Sequence, residues 1–188
     1  MFHKKFIKIA TNKFVLEVVN FIINGKFILN QQNGLFNPPN NLKYEQAAWH
    51  RDLPYQHFVS SRPLAISALF VLDEFTLENG ATYVVPRSHM EENFPSREYV
   101  EKNAIQITAK PGQFILMDCM CYHSSGSNFT DKPRRAINHV YTIPFFKQQI
   151  KLNKILKNFK LTKAEKELFG FSFEEPISIK NYLNNRIR

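Results

Sequence analysis

Residues 104–123 read AIQITAKPGQFILMDCMCYH. Two short apolar runs flank Pro111-Gly112, a pair that punctuates chains as a turn, so the segment predicts two β-strands joined there. The second run is expected to continue as one strand to His123. Side chains two apart share a strand face, so Cys119, Cys121 and His123 would point the same way. Strand readings extend outward from this segment. PLAISALFVLD (63–73) is an apolar run suited to a strand buried on both faces. ENGATYVVP (78–86) reads as a turn at Gly80 and then a strand, and RRAINHVYTIPF (134–145) alternates as a strand. KFILNQQ (26–32) predicts a strand and NGLFNPPNN (33–41) a loop.

Helical patterns lie at the ends. TNKFVLEVVNFIIN (11–24) predicts a short helix capped by Thr11 and ended at Gly25, although its β-branched content also allows a strand. SREYVEKN (96–103) predicts a helical insertion capped by Ser96. LTKAEKELFGF (161–171) carries the capping box Thr162-x-x-Glu165 and stops at Gly170, and SIKNYLNNR (178–186) predicts a last short helix from Ser178. Many closely spaced strands followed by a helical tail predict a mainly β sandwich or jelly roll with flanking helices. With 188 residues, a single domain spanning 1–188 is expected.

The net charge is +9, with ten Lys or Arg against four Glu from Lys147 onward. That balance favours anionic partners in general. It lacks the basic face with interleaved aromatics that single-stranded nucleic acid requires, and a basic tail reads as a solvated face. Cys119 and Cys121 are too close for an unstrained disulfide and read as small buried thiols. The opening MFHKKFIKIA is broken by Lys8 and no cleavage site follows it, and no apolar run is long enough to span a bilayer. No nucleic-acid or membrane partner and a cytoplasmic location are therefore expected, with oligomeric state left open.

Chemistry concentrates in WHRDLPY (49–55). His50 and Asp52 are spaced to share a strand face, as a metal site with two ligands in hand or as a surface pair of no consequence. If the strand ending at His123 lines the same interior, three side chains converge. Two imidazoles and one carboxylate on one octahedral face leave three positions open, which suits non-haem Fe(II). A 2-oxo acid chelating that metal would need a buried cation for its far carboxylate, and an Arg fork fits best. KPRRAI (132–137) offers Arg134 and Arg135 on opposite faces, one in and one out.

Taken together, WHRDLPY, ENGATYVVPRSH (78–89), PGQFILMDCMCYHSSGSN (111–128) and RRAI (134–137) resemble the phytanoyl-CoA dioxygenase family of Fe(II)/2-oxoglutarate oxygenases, from about Phe27 to Phe145. The resemblance implies a double-stranded β-helix (a jelly-roll, cupin-like barrel) with its core at about 27–146, a basic helical tail at 147–188 and a shortened N-terminal part. It implies His50, Asp52 and His123 as ligands of Fe(II), Arg134 as the salt bridge to 2-oxoglutarate, and Ser125 as a further hydrogen bond to that co-substrate. The implied reaction is hydroxylation of a C–H bond by dioxygen, with release of succinate and carbon dioxide. Relatives that halogenate lack the carboxylate that Asp52 supplies. The family's turn glycine is Arg87 here, read as a surface residue. His89 belongs to that turn, and His57 and His139 read as structural. Tyr55, Gln56, Arg62 and Arg87 are expected at the pocket wall, which with the basic balance suggests a small, anionic metabolite. The alternatives are an inactive or incomplete metal-binding jelly roll, and a cupin-type metalloenzyme that does not use 2-oxoglutarate.

Overall fold

The computed structural model describes residues 3–42, 44 and 47–186. In chain order the elements are α1 (Lys4–Ala10), α2 (Lys13–Ile23), β1 (Ile28–Asn37), β2 (Ala65–Val71), β3 (Thr82–Val84), α3 (Arg97–Asn103), β4 (Ile105–Gln106), β5 (Phe114–Asp118), β6 (His123–Ser125), β7 (Arg134–Thr142), α4 (Leu152–Ile155), α5 (Lys163–Leu168) and α6 (Ile179–Arg186). They form a four-stranded antiparallel sheet, β1-β7-β2-β5, and a three-stranded one, β4-β3-β6.

The pleat divides the larger sheet into two faces. Ile66 and Ala68 of β2 and Tyr141 of β7 point outward, into a core closed by Ala10 of α1, Val15, Val19 and Ile23 of α2, and Leu152, Leu156, Leu168 and Phe169 of the tail. Tyr141 donates its hydroxyl to the Ala10 carbonyl at 2.8 Å. The tail is therefore a packed element of the fold as well as a basic surface, because its apolar residues recur on the inner side of α4 and α5. The inward face looks toward the smaller sheet. It is plugged at one end by Leu69, Val71, Phe75, Ala81 and Ala136, and at the other by Leu53, Ala65, Cys119, Met120 and Val140.

A β-bulge sets which residues of β1 face inward. The register with β7 slips between Leu29 and Gln31, so Leu29 lies in the helix-covered core while Gln31, two residues on, lines the interior. Asn30, the extra residue, is held by its Nδ2, which donates to the Lys147 carbonyl at 3.1 Å.

The predicted elements recur with three corrections. β1 runs to Asn37, through the Gly34 stretch read as a loop, because continuous pairing with β7 overrides weak local propensity. α2 is capped by Asn12, whose side chain accepts from the Val15 amide at 3.1 Å, and ends on left-handed Asn24; α1 precedes it, with its N-terminus capped by His3. The run from Phe114 to His123 is two strands in different sheets. Asp118 ends the first, its Oδ1 accepting the Met120 amide and its carbonyl the Cys121 amide, so Cys119 and Cys121 occupy a turn as buried free thiols. β4 and β5, joined through Gly112 at positive φ, likewise separate into the two sheets. The caps at Ser96, Thr162 and Ser178 form as expected. No helix among the described residues is long and apolar enough to cross a membrane.

His139, on the outward face of β7, is fully buried. Its Nδ1 donates to the Ala68 carbonyl at 3.0 Å and its Nε2 accepts from Gln32 Nε2 at 2.8 Å, which satisfies the neutral ring. Burial pushes its pKa down to about 4. The unfolded chain takes up a proton near pH 6.5 and the folded chain only near 4, so stability is complete above 6.5 and declines as pH falls through that window. Urea titrations of the parent should lose up to about 3 kcal/mol from this group between pH 6.5 and 4, a loss absent in His139→Gln. In the tail, Leu156→Ala should cost about 2–5 kcal/mol in the same assay, as expected of a side chain in the central core.

Candidate metal and co-substrate site

The residues WHRD alternate in the way the sequence suggests, without forming a regular strand. His50 makes a two-hydrogen-bond antiparallel bridge to His123, its amide donating to the His123 carbonyl at 2.9 Å and its carbonyl accepting from the His123 amide at 3.0 Å. Asp52 N donates to the Cys119 carbonyl at 2.9 Å. This short extended segment extends the smaller sheet past β6, turning His50 and Asp52 inward and Trp49 and Arg51 away. Trp49 stacks on Tyr122, with ring centroids 5.4 Å apart, and Tyr122 stacks on Phe94.

The ligand atoms of His50, Asp52 and His123 lie within 4.8 Å of one another. Nε2 of His50 is 3.8 Å and Nε2 of His123 3.6 Å from Asp52 Oδ1. Each Nδ1 meets a backbone carbonyl, Ala48 at 2.8 Å for His50 and Cys121 at 2.9 Å for His123. With Nδ1 donating, both Nε2 lone pairs face the carboxylate, which is how metal-binding imidazoles are oriented. Burial, reinforced by His50, holds the His123 pKa below the usual imidazole range against the pull of Asp52, so its neutral ring is favoured. Asp52 Oδ2 is buried and has no hydrogen-bond partner among the described residues. A buried anionic oxygen without a partner is costly, and a divalent cation between the three side chains would supply the missing counter-charge. The donor set fits a hard-to-intermediate metal such as Fe(II).

The triad opens onto a cavity of about 270 Å³ between the sheets, sized for a small ligand. Arg134 enters it from β7, only 3% exposed, while Arg135 points to solvent and pairs with Asp73 at 2.8 Å. The Arg134 guanidinium lies 4.0 Å above the Phe75 ring. Its Nε donates to the Asn79 carbonyl at 3.3 Å and one terminal nitrogen to Ser125 Oγ at 2.7 Å. Burial lowers its pKa to about 10, which still leaves it charged at neutral pH. Glu78-Asn79-Gly80 builds its support. Asn79 is tied down by the Thr76 amide and the Glu74 carbonyl, and Gly80, at φ 77°, lets the chain pass against Gly126.

Not every expected wall residue reaches the cavity. Among the described residues its larger-sheet side is formed by β1, β2, β5 and β7, not by Tyr55, Gln56, Arg62 or Arg87. Tyr55 is exposed and stacks on Phe58; Arg62 lines a small crevice beside Asp118; Gln56 serves Arg51. Arg87 takes the left-handed conformation of a turn glycine, φ 66°, and borders an exposed hollow with Met90, Phe94 and Tyr99. Sequence reasoning missed Arg51. Buried between the two inward residues, it donates to the carbonyls of Gln56, Ser88, Glu91, Glu92 and Asn93, pinning the loop after β3 to the triad segment. Nothing in its spacing distinguishes it from a surface Arg.

The family model of phytanoyl-CoA dioxygenase (PhyH) matches residues 13–136. Uncharacterized protein Rv1501 of Mycobacterium tuberculosis is 36% identical over 140 residues, 72% of this chain and 50% of its own length. Ectoine dioxygenase of Sphingopyxis alaskensis is 26% identical over 162 residues, 71% of this chain and 52% of its own. The structure of EctD from S. alaskensis with 2-oxoglutarate and 5-hydroxyectoine superposes with a TM-score of 0.62 at 26% identity, covering 73% of this chain and 52% of that one. The apo non-heme monooxygenase ThoJ shares the fold at 0.62 and 21% identity, covering 73% and 54%. The chain belongs to the phytanoyl-CoA dioxygenase family. It spans about half the length of the curated relatives it matches.

The Gly80 crossing gives a direct check on this architecture. A Cβ there would lie 2.2 Å from the Gly126 carbonyl oxygen. Gly80→Ala should lower stability by roughly 2–4 kcal/mol in denaturant titration, through steric overlap and positive φ together.

Proposed function

We propose that this chain is an Fe(II)/2-oxoglutarate-dependent dioxygenase that hydroxylates a C–H bond of a small metabolite. The two sheets act as walls of a double-stranded β-helix, with residues 1–188 as one oxygenase domain. The observation that carries the proposal is the pairing of a His50–Asp52–His123 triad, one carboxylate oxygen unsatisfied, with a buried Arg134 in the same cavity. His50, Asp52 and His123 would hold the metal on one side, leaving the cavity side open. Bound there, Fe(II) supplies the oxidising chemistry that couples decarboxylation of 2-oxoglutarate by dioxygen, to succinate and carbon dioxide, with oxygenation of the substrate.

The chain's own residues do the positioning. Arg134, fixed by Asn79, Ser125 and Phe75, would meet the distal carboxylate of 2-oxoglutarate, and Ser125 Oγ, already oriented by Arg134 and Asn37, would hydrogen-bond the same group. The apolar plugs at both ends of the inward face restrict water, which strengthens each of these contacts.

Anaerobic addition of Fe(II) and then 2-oxoglutarate should produce the visible charge-transfer band of a chelate. Arg134→Ala should weaken 2-oxoglutarate binding by about 2–5 kcal/mol, at least thirtyfold, while leaving Fe(II) binding intact. A folded parent that binds Fe(II) but gives no band would sink the oxygenase reading and leave a metal-binding or 2-oxoglutarate-independent protein.

A further inference from the structure

The larger-sheet side of the cavity differs chemically from the triad side. It presents Gln31 and Asn33 of β1, Ser67 of β2, Asn138 of β7 and, from beyond β7, Gln149. All are uncharged, and all carry amide or hydroxyl groups. Ser67 and Asn138 satisfy one another, Ser67 Oγ donating to Asn138 Oδ1 at 2.7 Å. Gln31 is different. It is 7% exposed, and its Oε1 is buried with no hydrogen-bond partner among the described residues. A buried acceptor without a donor is destabilising, and such a group in a cavity wall marks the place where a ligand donor is missing.

Charge decides the rest. The only charged or imidazole groups among the described residues lining the cavity are His50, Asp52, His123 and Arg134. If the triad holds the metal and Arg134 the co-substrate, as proposed above and on which this step rests, no described cation remains between the sheets for a second anion. We infer that the part of the substrate held there carries hydroxyl or N–H donors and no anionic group, and that Gln31 is its principal specificity-determining contact, with Asn33 beside it. This replaces the anionic metabolite that composition suggested. The basic excess lies largely in the tail, which packs on the opposite face of the larger sheet.

The test uses thermal unfolding of the anaerobic protein with Fe(II) and saturating 2-oxoglutarate. A polar metabolite extract is split on a strong anion exchanger into an unretained fraction (neutral and cationic) and a retained fraction (anionic). The unretained fraction should raise the unfolding temperature by a few degrees, and the retained fraction should not. Gln31→Leu should unfold no lower than the parent before ligand is added, since the orphaned acceptor is gone, yet lose the response. Asn33→Ala should reduce it, and serves if Gln31→Leu fails to fold. A response to the retained fraction at least as large, no response to either fraction, or variants that respond like the parent would overturn the inference. Failure of the oxygenase reading shows separately, as no shift in the parent with 2-oxoglutarate itself, and leaves the comparison of fractions readable.

Discussion

The reciprocal backbone hydrogen bonds between His50 and His123 carry the architecture of the site. A segment with no strand partner of its own is held in an extended form by one bridge, and extended geometry places residues two apart on one face. Because the bridge is centred on the two histidines themselves, their rings are brought face to tilted face, with centroids 4.3 Å apart, and Asp52 follows into the same space. The alternation also sends Arg51 the other way, where its guanidinium gathers five carbonyls of two loops. One local hydrogen-bond pattern thus builds the donor set and fastens the covering loop.

Arg134 is held on a second, independent frame. Asn79 and Gly80 form a turn whose carbonyl takes the guanidinium, and the contact of Gly80 with Gly126 brings that turn against the chain leaving β6. The ENG triplet therefore has a physical basis here: Asn79 ties down the turn, and Gly80 permits a crossing that no side chain would fit.

The sequence carried the site more fully than the sheet details. The shared inward face of His50 and Asp52 was legible from their spacing, whereas Arg134 and Ser125 were singled out by the family resemblance; with His123, all five line the cavity. Alternation along β7 left open which of Arg134 and Arg135 turns inward; the family resemblance chose Arg134, which is the buried one, while Arg135 pairs with Asp73. What stayed hidden depends on distant partners. Gly34 reads as a loop until β7 pairs with it, Asp118 ends a strand through its own side-chain hydrogen bond, and the β1 bulge leaves no local signature. Misjudging that strand also misplaced the pocket wall, because Gln31, Asn33 and Leu35 belong to residues read partly as a loop.

The bulge at Asn30 separates two tasks along one chain. The three side chains of the candidate triad sit on the smaller sheet and its bridge, whereas the wall facing them is set by which way β1 is turned. Were the bulge lost with Asn30 paired in its turn, the following segment would slip by one residue on β7 and exchange its polar lining for the residues now outside, with His50, Asp52 and His123 untouched. A fold arranged this way can change the chemistry of one cavity wall by a change of register in a single strand, without moving the triad opposite.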